Sequence, residues 1–302
     1  MLALRMLPSR LFKYRGDNDF SEKLVVDGTV WLPTAKDLND PLECRTGIIP
    51  QKFKDEAIRA REQAQMMGLL LTPRYQTAKN LFSLDKRQTK KWLARFAKAP
   101  HERKVHLMRK LLRDHGMNLS DPKAMFDNFE AQMASVGIFS LSAVSDDQLM
   151  WAHYGDSHSG LVFGFDVADG CNLSNPDHLI EVTYSDEKPV IEKAEGNMRI
   201  SFSSDEKGQI ESNFSFAFND PLFRACISTK PKAWAYEQEW RYVHESPGAH
   251  PFPGKLSSVM FGLRMPADRK SYYSNLLAAN GYSVELSQMT QTASGAFEVQ
   301  SL

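Results

Sequence analysis

Cysteine is scarce in this chain: Cys44, Cys171 and Cys226 are the only three in 302 residues. They are far apart and odd in number, and no CxxC or Cys/His ligand spacing occurs. That argues against a disulfide framework and against a zinc site, so no metal is expected. Long hydrophobic runs are missing too. No stretch approaches the roughly 18 consecutive apolar residues that a bilayer span needs, so no membrane partner is expected. The opening MLALRMLPSR interrupts a very short apolar run with Arg5, Pro8 and Arg10, which argues against a secretory leader. A cytoplasmic location is the expectation. Nor is there an excess of either charge: Lys+Arg and Asp+Glu both number 37, and net charge selects no class of partner. Internal repeats and a phosphate-binding P-loop are also lacking. What is present is apolar material, 42% of the residues, enough to bury at least one substantial core.

The most informative stretch runs from Gly137 to Asp166. Ile138 to Ser142 alternates as a short strand. Ser145, Asp146 and Asp147 then offer N-caps for a helical turn carrying Leu149, Met150 and Trp151. Trp151, His153 and Tyr154 cluster before a loop bounded by Gly155 and Gly160, and Leu161 to Phe165 reads as a fully buried strand. Two readings of the aromatics stand side by side. They stack on a flat ring in a pocket, or Trp151 and Tyr154 plug the core beneath the loop.

Earlier in the chain, Leu11 to Arg15 reads as a strand with Phe12 and Tyr14 on one face and Lys13 and Arg15 on the other. A short helix capped by Asp19 follows, with Phe20, Leu24 and Val25 on one face and its end at Gly28. Thr29 to Leu32 is a further strand, and Leu38-Asn39-Asp40-Pro41 is a turn that sets an amide and a carboxylate beside the first strand. Residues 51 to 136 are helical in pattern and different in character, which marks them as a helical insertion into a single domain spanning 1–302. Between Lys86 and Arg113 the only acid is Glu102, against eleven lysines and arginines. That is a solvated helical face or a phosphate-tracking surface, for which Lys90, Lys91 and Arg95 are the candidates.

Beyond Asp166, Leu179 to Tyr184 reads as a strand, and helices are expected around Gln209 to Ala217 and after Pro221. AWAYEQEWRYVHE, read as a strand from Tyr236, puts Glu237, Glu239 and Arg241 on one face. Such a row is a plain charged surface, or it lines a cleft in which Arg241 holds one carboxylate and leaves the other free. In the tail, strands at Val259–Leu263 and Val284–Leu286 flank a helix opened by Pro266, implying a parallel pair. Phe297 to Val299 is a final edge strand. The fold class is therefore α+β, with a mixed β-sheet core.

Taken together, LFKYRG, LNDPLE, FSLS, MWAHYG, GLVFGFD and KAWAYEQEWRYV resemble an uncharacterised bacterial family that shares a KYR start, an NDP turn, an MWAHY segment and a W-YE-EWR strand. The order of elements also resembles, more distantly, that of ADP-ribosyltransferases. In those, a basic residue on the first strand, a serine strand and a Glu-x-Glu strand build one NAD site. The first strand here lacks a clean Arg-Gly or His-Gly pair, and the serine strand reads FSLS.

The resemblance implies an ADP-ribosyltransferase-like fold and an enzyme of the bacterial toxin or phage-defence kind. NAD is its substrate, and the acceptor is a macromolecule, nucleic acid or protein. It implies Glu239 as the carboxylate that steadies an oxocarbenium-like ribose and Glu237 as the group that orients or deprotonates the acceptor. Arg15 or Lys13 would anchor the dinucleotide, with Ser140 and Ser142 on the serine strand and Tyr154 or Trp151 as the stacking aromatic. Tyr14, Asn39, Asp40, His153 and Arg241 complete the implied lining. Two other classes stay open: a non-enzymatic nucleic-acid or partner-binding module using the basic helices, and a glutamate-dependent hydrolase that does not use NAD.

Overall fold

The computed structural model describes residues 7–38, 44, 51–71, 84–116, 121, 123–187, 198–204 and 210–302. In chain order the strands are β1 (Arg10–Arg15), β2 (Thr29–Leu32), β3 (Gly137–Ser142), β4 (Leu161–Asp166), β5 (Leu179–Glu181), β6 (Thr183–Tyr184), β7 (Met198–Ser204), β8 (Ile210–Phe216), β9 (Thr229–Lys230), β10 (Glu239–His244), β11 (Gly248–Pro251), β12 (Lys255–Phe261), β13 (Glu285–Gln291) and β14 (Phe297–Ser301). Eight of them form one mixed sheet in the order β14-β13-β12-β4-β1-β3-β10-β5. Its β12–β13 pair is parallel, joined by the helix Ala267–Ala279, and the other pairs are antiparallel. The chain is thus α+β with a mixed sheet core, as its alternation and tail pattern predict.

The chain divides into two compact units. The first comprises Met1–Thr46, Met133–Pro189 and Pro221–Leu302; the second comprises Gly47–Gln132 and Val190–Asp220. In the first unit, alternation along the strands builds two different faces. Leu11, Phe139, Leu141, Phe163 and Trp240 point to one core, which is closed by Leu24 and Val25 of the helix Asp19–Asp27 and by Tyr273 and Leu277 of the helix Ala267–Ala279. Tyr14, Val162, Met260 and Met289 face the other way and pack on Met150 and Trp151 of the helix Gln148–Tyr154. Asp147 caps that helix, its Oδ1 accepting from the Met150 amide at 2.9 Å. Ser140 and Ser142 of β3 and Glu239 and Arg241 of β10 leave the sheet on this second face.

β1 and β3 are registered by one pair, Phe12 opposite Ser142, whereas β1 and β4 pair along their whole length. Lys13 Nζ instead crosses to β3 and donates to the Ser140 carbonyl at 2.8 Å. Between the helix Gln148–Tyr154 and β4, the chain turns through Asp156, Ser157 and His158, all left-handed, with φ of 51°, 52° and 72°. Gly160 then passes so close to the Arg15 carbonyl that no Cβ fits there.

The second unit packs its helices through Met66, Phe96, Val105, Met108 and Leu112. These side chains recur at helical spacing on the helices Gln51–Leu71, Lys86–Ala97 and His101–Arg113. No described helix is long and apolar enough to cross a membrane.

Three local expectations are corrected. The helix expected around Gln209 is instead strand β8, hairpinned with β7. β-branched and aromatic residues such as Ile210, Phe214 and Phe216 suit a strand, and the cross-strand pairing outweighs the helical reading of the segment. The helix expected to be capped by Asp19 is capped by Asn18, whose Oδ1 accepts from the Phe20 and Ser21 amides, and Phe20 faces outward. The strand expected from Tyr236 begins at Glu239. Residues Lys232–Glu237 form a 3-10 turn, and Gln238, at φ 42°, is left-handed and cannot extend a strand.

Candidate active site

A cleft of about 180 Å³ opens on the second face of the first unit's sheet. Its walls include Lys13, Ser140, Ser142, Tyr154, Lys230, Glu237 and Glu239. Register explains how these meet. Glu239 lies opposite Ser142 and Arg241 opposite Ser140, so their side chains leave the sheet on the same side. Glu237 does not belong to β10, yet its turn returns it to the same spot. Ser142 Oγ donates to the Glu237 carbonyl at 2.7 Å, and the Ala143 amide donates to the Gln238 carbonyl at 3.0 Å.

Both carboxylates are almost wholly buried and both are held by cations. Arg241, fully buried, donates from Nε to Glu239 Oε1 at 2.8 Å and from Nη2 to Oε2 at 3.1 Å. Its Nη1 donates to the Ile227 carbonyl at 2.6 Å. Lys230 Nζ lies 2.6 Å from Glu237 Oε2 and 3.2 Å from Glu239 Oε2. The Tyr154 hydroxyl donates to Glu237 Oε1 at 2.7 Å. The Glu239 amide donates to the Tyr184 hydroxyl at 2.7 Å, which tethers the start of β10.

These surroundings drive the two acids in opposite directions. Burial alone raises a carboxyl, but at Glu239 the Arg241 guanidinium, with Lys230 and a Ser140 hydrogen bond, overcomes it and brings the pKa down to about 2. At Glu237 burial prevails over Lys230 and Tyr154, and the carboxyl stays above its usual range. Lys13 also departs: burial, then the nearby Arg15, lowers its ammonium to about 7. One carboxyl is held in its ionised form while burial favours the neutral form of its neighbour. Such pairs characterise acid–base sites.

Ser140, Ser142, Tyr154, Glu237, Glu239, Lys13 and Tyr14 all line the cleft. Arg241 does not; it acts from behind Glu239. Arg15 does not line it either. Burial lowers its pKa, and its Nε is buried with no hydrogen-bond partner among the described residues. Trp151 is a correction. It is 1% exposed, its Nε1 donates to the Ser145 carbonyl at 2.9 Å, and its ring meets Tyr14 edge-on at 5.4 Å. It plugs the core beneath the loop and presents no face to a ligand. His153 is exposed beside the rings of Tyr154 and Tyr236 and is not among the residues that line the cleft. Asn39 and Asp40 lie outside the described residues. Lys90, Lys91 and Arg95 are exposed on a helix of the second unit.

Sequence reasoning missed Lys230 and Tyr184. The signal for Lys230 is slight: a lysine just before a proline, seven residues ahead of Glu237. Only the pairing of β9 with β6 brings it inward.

Trp151→Ala is expected to destabilise the fold by about 3–5 kcal/mol, the cost of emptying a large core site. Trp151→Phe should retain most of the stability and all of the ligand binding. Urea unfolding beside a binding titration checks both; weaker ligand binding by a folded Trp151→Phe protein would return the ring to the site.

Residues 150–242 match the model of a family described as a protein of unknown function (DUF2971). No curated protein and no solved structure matches the chain. The matched stretch runs from the helix bearing Tyr154 to β10 and contains Lys230, Glu237, Glu239 and Arg241, so the similarity covers most of the charged residues at the cleft.

Proposed function

We propose that this cleft breaks the bond between nicotinamide and ribose in NAD and passes the ADP-ribosyl group to a macromolecular acceptor or to water. The observation that carries the reading is the pair Glu237 and Glu239, two buried carboxylates with opposite pKa shifts in one cleft. Cleavage of a glycosidic C–N bond develops positive charge on the ribose. Glu239, ionised at every physiological pH, stabilises that charge and accepts a hydrogen bond from the 2′-hydroxyl. Glu237, with its raised pKa, takes the proton of the incoming nucleophile, and Tyr154 and Lys230 aim it. Lys13, which lines the cleft, supports the same reading from the other end of the ligand. Burial desolvates its ammonium, and no carboxylate is among its hydrogen bonds to the described residues. A diphosphate supplies the anion such a cation wants.

The size of the cleft favours a second reading as well. At about 180 Å³ it is smaller than the roughly 300–1,000 Å³ typical of pockets for drug-sized ligands. It suits a nicotinamide riboside moiety, with the rest of the dinucleotide lying outside. It equally suits a small glycoside or nucleoside cleaved by the same carboxylates without NAD.

Incubating the protein with NAD and following nicotinamide release tests the first reading. Glu237→Gln is expected to slow transfer to an acceptor more than it slows NAD cleavage, because its role begins when the nucleophile arrives. Nicotinamide release no faster than the uncatalysed rate, with or without lysate as acceptor, ends the NAD reading. Glu239-dependent release of a base or aglycone from nucleosides or glycosides then establishes the second.

A further inference from the structure

We infer that the solvent face of the helix Lys86–Ala97 is a sequence-independent binding surface for the phosphate backbone of nucleic acid. Around this helix, Thr89 and Phe96 are buried, and Phe96 packs into the core of the second unit. At 100° per residue, Lys86, Arg87, Lys90, Lys91, Arg95 and the following Lys98 fill the arc opposite that buried side. All six are exposed, and none is in an ion pair with any described residue. Arg87, Lys91 and Arg95 form a row at about 6 Å intervals along the axis.

This arrangement works against the helix that carries it. Lysine or arginine pairs four residues apart each cost a few tenths of a kcal/mol, where alternating signs would stabilise. The first turn holds Lys86 and Arg87 and no acid, the wrong sign for the positive end of the helix dipole. Only the Asp85 cap opposes them, its Oδ1 accepting from the Gln88 amide at 2.7 Å. The chain as a whole is neutral, so the face is a local concentration and does not follow from a basic composition. A face kept only for solvation has no need of such self-repulsion; a polyanion removes it on binding.

A lipid surface fits less well. Interfacial helices bury an apolar face among acyl chains, and here Phe96 and Trp92 of the apolar face are already packed in the unit's core, which leaves Leu93 as the only large apolar side chain exposed on that side among the described residues. No aromatic or long aliphatic side chain stands within the cationic arc. No base-reading motif accompanies that arc, and phosphate contacts by lysine and arginine carry no sequence information, so the contact is assigned to the backbone and not the sequence.

The test uses the full-length protein, a fluorescent 30-nucleotide DNA of mixed sequence in single- and double-stranded form, and a series of salt concentrations. Binding is expected at low salt, with log K falling linearly in log salt. Changing Lys90, Lys91 and Arg95 together to Gln should flatten that slope by roughly 2–3 and weaken binding by tenfold or more at moderate salt. Thermal unfolding of the triple variant should be unchanged or slightly improved, since repulsion is relieved. The proposal is overturned by no binding at low salt, by a triple variant with the wild-type slope and affinity, or by binding to phosphatidylserine vesicles that exceeds binding to DNA. None of these outcomes depends on whether the cleft of the first unit cleaves NAD.

Discussion

Glu239→Gln is expected to lower NAD turnover by on the order of a hundredfold or more, the scale of losing one preorganised electrostatic group. The substitution preserves shape and a hydrogen-bonding amide, and removes only the charge that faces the developing ribosyl cation. Its surroundings add a second effect. Arg241 is fully buried and directs Nε and Nη2 at this carboxylate. Without the charge, the buried guanidinium keeps its hydrogen bonds to the Ile227 carbonyl and the Cys44 sulfur but loses its carboxylate counter-ion. Breaking a buried pair costs about 3–5 kcal/mol, so the variant should also unfold at lower denaturant. Acid stability separates the variant from wild type once more. A carboxyl lowered from 4.5 to about 2 contributes stability that is present above pH 4.5 and lost as pH falls toward 2. Glu237, raised by burial, contributes with the opposite sign. Wild type should therefore lose stability through that acid window more steeply than Glu239→Gln. Turnover per folded molecule, with the folded fraction taken from circular dichroism, is the deciding measurement. If it is unchanged in the variant, Glu239 is a structural ion-pair partner and the transferase reading falls.

The second large effect is expected at Lys13, where stability and binding should move in opposite directions. Its ammonium donates to the Ser140 carbonyl, stands 5.0 Å from the centre of the Phe139 ring, and has a pKa lowered to about 7 by burial and then by Arg15. The folded protein therefore releases this proton well before the unfolded chain does. For a base shifted downward, stability is withheld while the group is forced to be charged and is recovered as pH rises from about 7 to 10.5. Lys13→Met removes the penalty. The variant should be more stable than wild type below pH 7, by a few kcal/mol at most, and the difference should shrink toward pH 10. If Lys13 holds a phosphate of the dinucleotide, the same variant should bind NAD at least tenfold more weakly, since a charge-assisted hydrogen bond contributes about 1.5–3 kcal/mol. Calorimetric titration with NAD and unfolding curves at pH 6 and pH 9 check the pair of effects. A variant that is destabilised at pH 6 and binds NAD normally would make Lys13 an ordinary strand residue.

Much of the cleft was legible because strand geometry is local. With a period of two residues, Glu239 and Arg241 must share a face, as must Phe12 and Tyr14, whatever the strands pair with. The same locality made Asp147 readable as a cap and the tail readable as strand, helix and parallel strand. Glu237 was placed near Glu239 for a mistaken reason. An uninterrupted strand was expected, whereas a 3-10 turn and the left-handed Gln238 bring Glu237 back to the cluster.

Sequence alone determined the alternation that sorts the sheet into two faces, the helical character of the 51–136 region and the concentration of cations on it, and the α+β class. It could not rank Trp151 against Tyr154, because both are aromatics on one short helix. Depth decides between them, and depth depends on Tyr14 and Val162 arriving from other strands. Lys230 was equally hidden. A lysine on a two-residue strand is ordinarily solvated, and only the return of β9 along β6 carries it between two carboxylates. The opposite shifts of Glu237 and Glu239 were likewise decided in three dimensions, since a carboxyl's proton affinity is set by burial and by charges brought close through space. The physical reason is common to all three: periodicity and capping act within a few residues, while desolvation and ion pairing act between segments that meet only when the sheet is assembled.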